Sequence, residues 1–138
     1  MQVKVGIDII EVERIKQSIE EIGEGFIDRV YTDNEIKYCE SKKNNKYQHY
    51  AARFAVKEAA FKAISTLLND KYSISWKNVE TIDDERGKPS LKFVALSKEV
   101  EKELSKIISM DVSISHIKDY AVANVSVLIW LKIKKGTS

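Results

Sequence analysis

Residues 51–64 read AARFAVKEAAFKAI, an apolar helical run that carries four charges, Arg53, Lys57, Glu58 and Lys62. A solvated helix face would be richer in charge, and a fully buried one would have none. The rest of the chain must therefore give these charges something to meet. At about 100° per residue, Glu58 and Lys62 stand one turn apart on one face, bordered by Ala51, Ala55, Ala59 and Thr66. As a plain i,i+4 pair they would be worth about 0.3–0.5 kcal/mol. The alanine border adds a second reading, because small neighbours let a ligand or another backbone come close. Glu58 then offers a carboxylate for a cation and Lys62 an ammonium for a phosphate oxygen.

Around this helix the periodicity sets out the other elements. Residues 2–10 alternate, with Val3, Val5, Ile7 and Ile9 on one face and Lys4, Gly6 and Asp8 on the other, the pattern of a half-buried strand. From Glu11 the spacing turns helical through Val12, Ile15, Ile19 and Ile22, until Gly23 and Gly25 stop it. YTDNE forms a capping box, Thr32 with Glu35, and Tyr31 and Ile36 stand where a hydrophobic staple would; a helix to about Lys42 follows. After the polar KKNNK loop the long helix runs from about Tyr47 to Leu68 and turns at Asn69 and Asp70. VETI and SLKFVA read as short strands joined by DDERGKP. Ser97 caps a helix to Ile108, and two strands finish the chain, Val112–Ile117 and Tyr120–Ile133, with a tight connection at Lys118 and Asp119. The order βαααββαββ indicates an α+β fold with a mostly antiparallel sheet, one domain over 1–133 and a frayed tail at 134–138.

Composition narrows the function classes. A chain of 138 residues that is 43% hydrophobic and 32% charged suits one globular domain. With 23 basic and 21 acidic residues the net charge is only +2, a poor match for phosphate-dominated nucleic-acid binding. The single cysteine, Cys39, cannot form an internal disulfide, so an intracellular, cytoplasmic setting is expected. QVKVGIDIIEV is too interrupted by Lys4 and Asp8 for a signal-peptide core, and VANVSVLIWLKI is far shorter than a membrane span.

Three further positions invite chemistry. Asp8 sits in a strand, where aspartate is disfavoured, so it is either exposed at the strand end or held by a partner. Mg²⁺ takes one or two protein carboxylates plus waters and substrate phosphates, a need Asp8 and Glu58 would meet if the fold joined them. RGKP, with Gly87, Lys88 and Pro89, is first a hairpin turn, and it also offers a cation and a rigid wall for a flat ring. In SISH, Ser113 and Ser115 point outward, Val112 and Ile114 inward, and His116 ends the strand. Two histidines and one cysteine cannot close a zinc site, and neither a P-loop nor a dinucleotide glycine pattern is present. A Ser–His hydrolase stays open on composition, although no nucleophile elbow is found.

Taken together, GIDIIEVERI, RVYTDNEIKYC, RFAVKEAAFKAI, GKP and SISH…YAVANV resemble the bacterial holo-acyl-carrier-protein synthases, the small 4′-phosphopantetheinyl transferases, in order and spacing from Gly6 to about Val127. The resemblance implies transfer of phosphopantetheine from coenzyme A to a serine of apo acyl carrier protein, with release of adenosine 3′,5′-bisphosphate. It implies Mg²⁺, or Mn²⁺, at Asp8 and Glu58, and diphosphate contact by Lys62. It also places Gly87, Lys88 and Pro89 along the nucleotide and His116 beside the phosphates, with Ser115 among the residues expected to bind coenzyme A. Arg53 is expected at the nucleotide or an interface, or in a plain salt bridge. Glu58, directly or through a water, is the expected base. Family members are typically homotrimers with active sites between subunits, and no nucleic acid or membrane partner is implied. Carrier docking is expected at Arg14, Lys16 and Arg29, although Glu20, Glu21 and Glu24 stand where the family commonly has basic residues. Two rivals remain open: a catalytically silent trimeric domain of the same fold, and a small α+β RNA-binding domain. The second would need exposed aromatics flanked by basic residues, a pattern that Phe93 and Trp130 do not make.

Overall fold

The computed structural model describes residues 1–132; Ile133 and the tail expected at 134–138 lie outside the described residues. Strand β1 (Gln2–Glu11) runs straight into helix α1 (Val12–Ile22), whose buried Val12, Ile15 and Ile19 follow the expected spacing. Gly23, at φ 76°, closes α1. A short helix absent from the sequence reading follows at once, α2 (Glu24–Val30). Gly25 therefore lies inside a helix rather than reinforcing a stop; Phe26, Ile27 and Val30 give α2 an apolar side that packs into the core. Helix α3 (Asp33–Glu40) carries the expected capping box, with Thr32 N donating to Glu35 Oε1 at 2.9 Å and Glu35 N to Thr32 Oγ1 at 3.3 Å.

The long helix α4 (Lys46–Ile64) ends earlier than its apolar pattern suggested, giving way to a 3₁₀ turn at Ser65–Leu67. Strands β2 (Val79–Asp83) and β3 (Pro89–Phe93) form an antiparallel hairpin. Helix α5 (Lys98–Glu103), capped by Ser97, is also shorter than expected. Past a 3₁₀ turn at Leu104–Lys106, Ile107 and Ile108 already belong to β4 (Ile107–His116), a pleat that suits β-branched residues. Strand β5 (Tyr120–Ile129) completes the fold and ends before the expected Ile133. It lies between β1 and β4 in a three-stranded antiparallel sheet, so the architecture is the α+β class the sequence indicated.

Helix α4 crosses the inner face of this sheet. Its Ala55, Ala59, Ala60 and Ala63 meet Ala123, Val125, Val127 and Ile129 in the larger core cluster. The closest approach is at Gly6, where an added Cβ would stand 1.9 Å from the Ala59 carbonyl oxygen and 2.8 Å from the Ala63 nitrogen. β1 is half-buried as expected, but the face its own chain covers is the one with Gly6 and Asp8. Val3, Val5, Ile7 and Ile9 point to the outer face and are 54–63% exposed. Cys39 is unpaired and buried in the second core cluster, where burial pushes its thiol up to about 12.

Candidate active site

The close packing at Gly6 carries Asp8, two residues further along the same strand face, onto the exposed end of α4. There Lys62 Nζ donates to Asp8 Oδ1 at 3.1 Å and to the Ile7 carbonyl at 2.9 Å. Asp8 is thus held by a partner, not exposed at a strand end. Its second oxygen, Oδ2, is buried and has no hydrogen-bond partner. Glu58, one turn before Lys62, is half-buried, and desolvation lifts its carboxyl above the usual range. The Trp76 indole N–H and the Lys62 ammonium pull the other way, while the Asp8 charge adds to the rise. Glu58 and Lys62 open onto a groove of about 700 Å³ walled by Phe61, Ile74, Trp76 and the exposed Tyr72.

The other two charges of α4 have structural partners. Lys57 is fully buried, and its ammonium lies 2.8 Å from Glu35 Oε1. It also donates to the Trp76 carbonyl at 2.8 Å and to the Val79 carbonyl. The remaining Glu35 oxygen accepts from Thr81 N at 3.1 Å, so the capping residue of α3 also anchors β2. Burial pulls the Lys57 ammonium below the lysine range, and Glu35 works against that pull. Arg53 is buried, 3.6 Å from Asp83 Oδ2, with its guanidinium 3.7 Å from the centroid of the Tyr38 ring. Its Nε has no partner.

Arg53, Gly87, Pro89 and His116 line a second, smaller cavity of about 160 Å³ with Tyr38, His49 and Asp83. His116 Nδ1 is 3.0 Å from Gln48 Oε1, and its ring meets that of His49 at a centroid distance of 5.0 Å. Lys88 points away to Asp111, 3.6 Å distant, and Ser115 lies exposed on β4. The structure thus brings Asp8, Glu58 and Lys62 together at one groove, and Arg53, Gly87, Pro89 and His116 together at another. The two share no lining residue. Arg14 lines a third groove, about 320 Å³, between α1 and the rings of Phe26 and Phe54. Lys16 stands 5.6 Å over the Tyr47 ring, and Arg29 is exposed at the end of α2.

Among the described residues no cluster of three His, Cys, Asp or Glu side chains forms, so a zinc-type centre is not built here. Two carboxylates with an unsatisfied buried oxygen suit a hard cation that completes its shell with waters and substrate. The sequence reading missed Trp76, His49 and the second role of Glu35 as the partner of Lys57. Trp76 and Glu35 meet α4 only through tertiary contacts, and His49 acquires its role only when β4 brings His116 beside it.

Residues 4–125 match the family described as the 4′-phosphopantetheinyl transferase superfamily. The holo-[acyl-carrier-protein] synthase of Ruminiclostridium cellulolyticum is 46% identical to this chain over 123 residues, 89% of this chain and 90% of the relative. That of Geobacter sp. is 40% identical over 87% of this chain and 93% of the relative. Among solved structures, a Bacillus anthracis holo-(acyl-carrier-protein) synthase in complex with CoA (3′,5′-ADP) is similar at a TM-score of 0.69 and 34% identity, over 90% of this chain and 94% of that one. The Helicobacter pylori holo-[acyl-carrier-protein] synthase in complex with coenzyme A gives 0.74 at 26% identity, over 90% and 99%.

Proposed function

This chain belongs to the holo-[acyl-carrier-protein] synthases of the 4′-phosphopantetheinyl transferase superfamily, and we propose that its chemistry centres on Asp8, Glu58 and Lys62, with Asp8 and Glu58 as the residues that would hold Mg²⁺, or Mn²⁺. The enzyme class implies the reaction, movement of phosphopantetheine from coenzyme A to a serine of apo acyl carrier protein. In our reading the leaving product is adenosine 3′,5′-bisphosphate.

The unpaired Oδ2 of Asp8 carries this reading. A buried carboxylate oxygen without a partner is costly, and the Glu58 charge nearby adds like-charge repulsion. A divalent cation bound there would offset both, and would offset the charge that builds on the phosphate oxygens during transfer. Lys62, with its side chain 58% exposed, can turn from Asp8 toward a diphosphate oxygen. Glu58, held above the usual carboxylate range, accepts the proton of the carrier serine. The serine Oγ forms its bond to the β-phosphorus as the bond from that phosphorus to the bridging oxygen breaks, and the bridging oxygen leaves with the electron pair on the α-phosphate of the nucleotide.

Arg53, Gly87, Lys88, Pro89, Ser115 and His116 are assigned to the nucleotide side. The cavity that Arg53, Gly87, Pro89 and His116 line is separate from Glu58 and Lys62 within one chain, which supports a composite site completed by a neighbouring copy in a homotrimer. The exposed row on β1 supplies apolar surface for such a seam. The groove beside Arg14 supports carrier docking on α1, with Lys16 and Arg29 as flanking cations and Phe26 and Phe54 as an apolar floor. A cytoplasmic setting agrees with the unpaired Cys39.

The test is transfer of label from coenzyme A to an apo acyl carrier protein. Label should move in Mg²⁺ and stop after chelation. Asp8→Asn and Glu58→Gln should each nearly abolish turnover, and the double variant should add little, as residues acting as a unit are not additive. Near-normal turnover by either variant would sink the assignment, and no transfer by the wild type would leave the silent-domain reading.

A further inference from the structure

One polar group at the Glu58–Lys62 groove is unused by the chemistry above. The indole N–H of Trp76 is buried and makes no hydrogen bond of regular geometry, although it acts on the Glu58 carboxylate. Leaving such a donor unpaired costs about 1–3 kcal/mol, so its retention calls for an explanation. Trp76 is not loosely placed. Its ring leans on Phe54, centroids 6.0 Å apart and planes tilted by 35°. Its carbonyl accepts from Lys57 Nζ at 2.8 Å, and Lys57 is fixed in turn by Glu35 at 2.8 Å. Lys57 immediately precedes Glu58 on α4, so the clamp on the Trp76 backbone and the carboxylate at the groove are set by successive helical positions. From that clamped backbone the indole N–H faces the Glu58 carboxylate across the groove wall they share.

We propose that Trp76 is a positioning residue for Glu58: its N–H is reserved for one carboxylate oxygen, leaving the other turned toward Asp8, and the buried Lys57–Glu35 pair fixes where that N–H stands. With a cation held by Asp8 and Glu58, the Glu58 carboxylate would be in line to accept that N–H in regular geometry. This inference rests on the reading of Asp8 and Glu58 as a cation site. It accounts for an ion pair buried beside the groove and for an unsatisfied donor at its edge through one relationship. Partners that orient a metal-binding carboxylate typically contribute 10- to 100-fold to metal affinity or activity.

Mn²⁺ binding to the protein alone, followed by electron paramagnetic resonance, tests the inference without turnover. Wild type should bind Mn²⁺, Asp8→Asn should not, and Trp76→Phe should bind roughly tenfold more weakly. In the transfer assay the same variant should lose kcat by a similar factor while its Michaelis constant for the carrier and its melting temperature hold. Because Trp76→Phe could disturb the Phe54 contact, the wild type offers a second reading. On Mg²⁺ addition the Trp76 indole proton resonance should move downfield, while that of Trp130 stays in place. Absence of Asp8-dependent Mn²⁺ binding in the wild type would overturn the cation site itself. Intact Mn²⁺ affinity in Trp76→Phe, or a stationary Trp76 resonance on Mg²⁺ addition, would overturn the role of Trp76 alone.

Discussion

The Cβ that Gly6 lacks would lie 1.9 Å from the carbonyl oxygen of Ala59. Backbone meets backbone there, and that contact sets the spacing between β1 and α4 on which the Asp8–Lys62 distance depends. Gly6→Ala must push strand and helix apart, at a stability cost of about 1–3 kcal/mol. Activity should fall much further, because Asp8 moves with the strand. Ala59→Gly should not rescue it, since the clash is with a main-chain oxygen. Denaturation midpoints and turnover of the two variants check this, and full rescue would show that the contact does not set the site.

The buried ion pair between Lys57 and Glu35 gives a different kind of expectation. Lys57→Met leaves Glu35 charged, desolvated and short of a partner, a situation that costs about 3–5 kcal/mol. The urea midpoint should drop accordingly. At subdenaturing urea the Trp76 environment, read by fluorescence, should change before global unfolding, because Lys57 holds its carbonyl.

His49 predicts an acid-sensitive step. Burial, with help from His116, Lys42 and Arg53, lowers its imidazole to about 4, while Asp83 opposes the shift; in the unfolded chain it titrates near 6.5. Between those values the unfolded state binds the extra proton, so the stability from a neutral His49 is complete above about pH 6.5 and is lost as pH falls toward 4. Melting temperatures of the wild type should therefore decline between pH 6.5 and 4.5, and His49→Phe should flatten the decline. An equal slope in both proteins would place the acid sensitivity elsewhere.

How far the sequence could be read depended on whether the deciding contacts were local. The capping box at Thr32 and Glu35, the start of α1 and the outward Ser113 and Ser115 are set by neighbours within a few positions, and each was found as expected. The end of α5 was misplaced because Ile107 and Ile108 continue its apolar spacing while a β-branched pair suits a strand equally well. Helix α2 was hidden by Gly23 and Gly25, which resemble a double stop, although only Gly23 adopts the positive φ that ends a helix. The alternation of β1 gave two faces, but not which one the chain's own core would cover; Gly6 decided that, through contacts with residues more than fifty positions away. The Asp8–Glu58–Lys62 group was legible as residue types, whereas Trp76 and His49 had no signal in spacing at all.

Assembly can be tested on the exposed row. Opposite Val3, Val5, Ile7 and Ile9 in the sheet register stand Leu128, Ser126, Asn124 and Val122, so the apolar stripe borders a mixed one on β5. Light scattering at micromolar concentration should report about three chains for the wild type. Ile7→Glu should give monomers that keep their fold and lose transfer, because the groove at Glu58 and the cavity at His116 no longer meet. A fully active wild-type monomer would refute both the trimer and the composite site.

The burial of Cys39 makes this chain a reporter of its own breathing. With the thiol pushed up to about 12 and enclosed beneath α3, almost no thiolate exists near neutral pH and no reagent can reach it. Alkylation must wait for α3 to lift from α4, so the labelling rate counts openings of that layer. Since the opening that frees Cys39 also parts Glu35 from Lys57, coenzyme A or a divalent cation that steadies the groove should slow the clock. A bystander sulfur thereby turns occupancy of the groove into a measurable time constant.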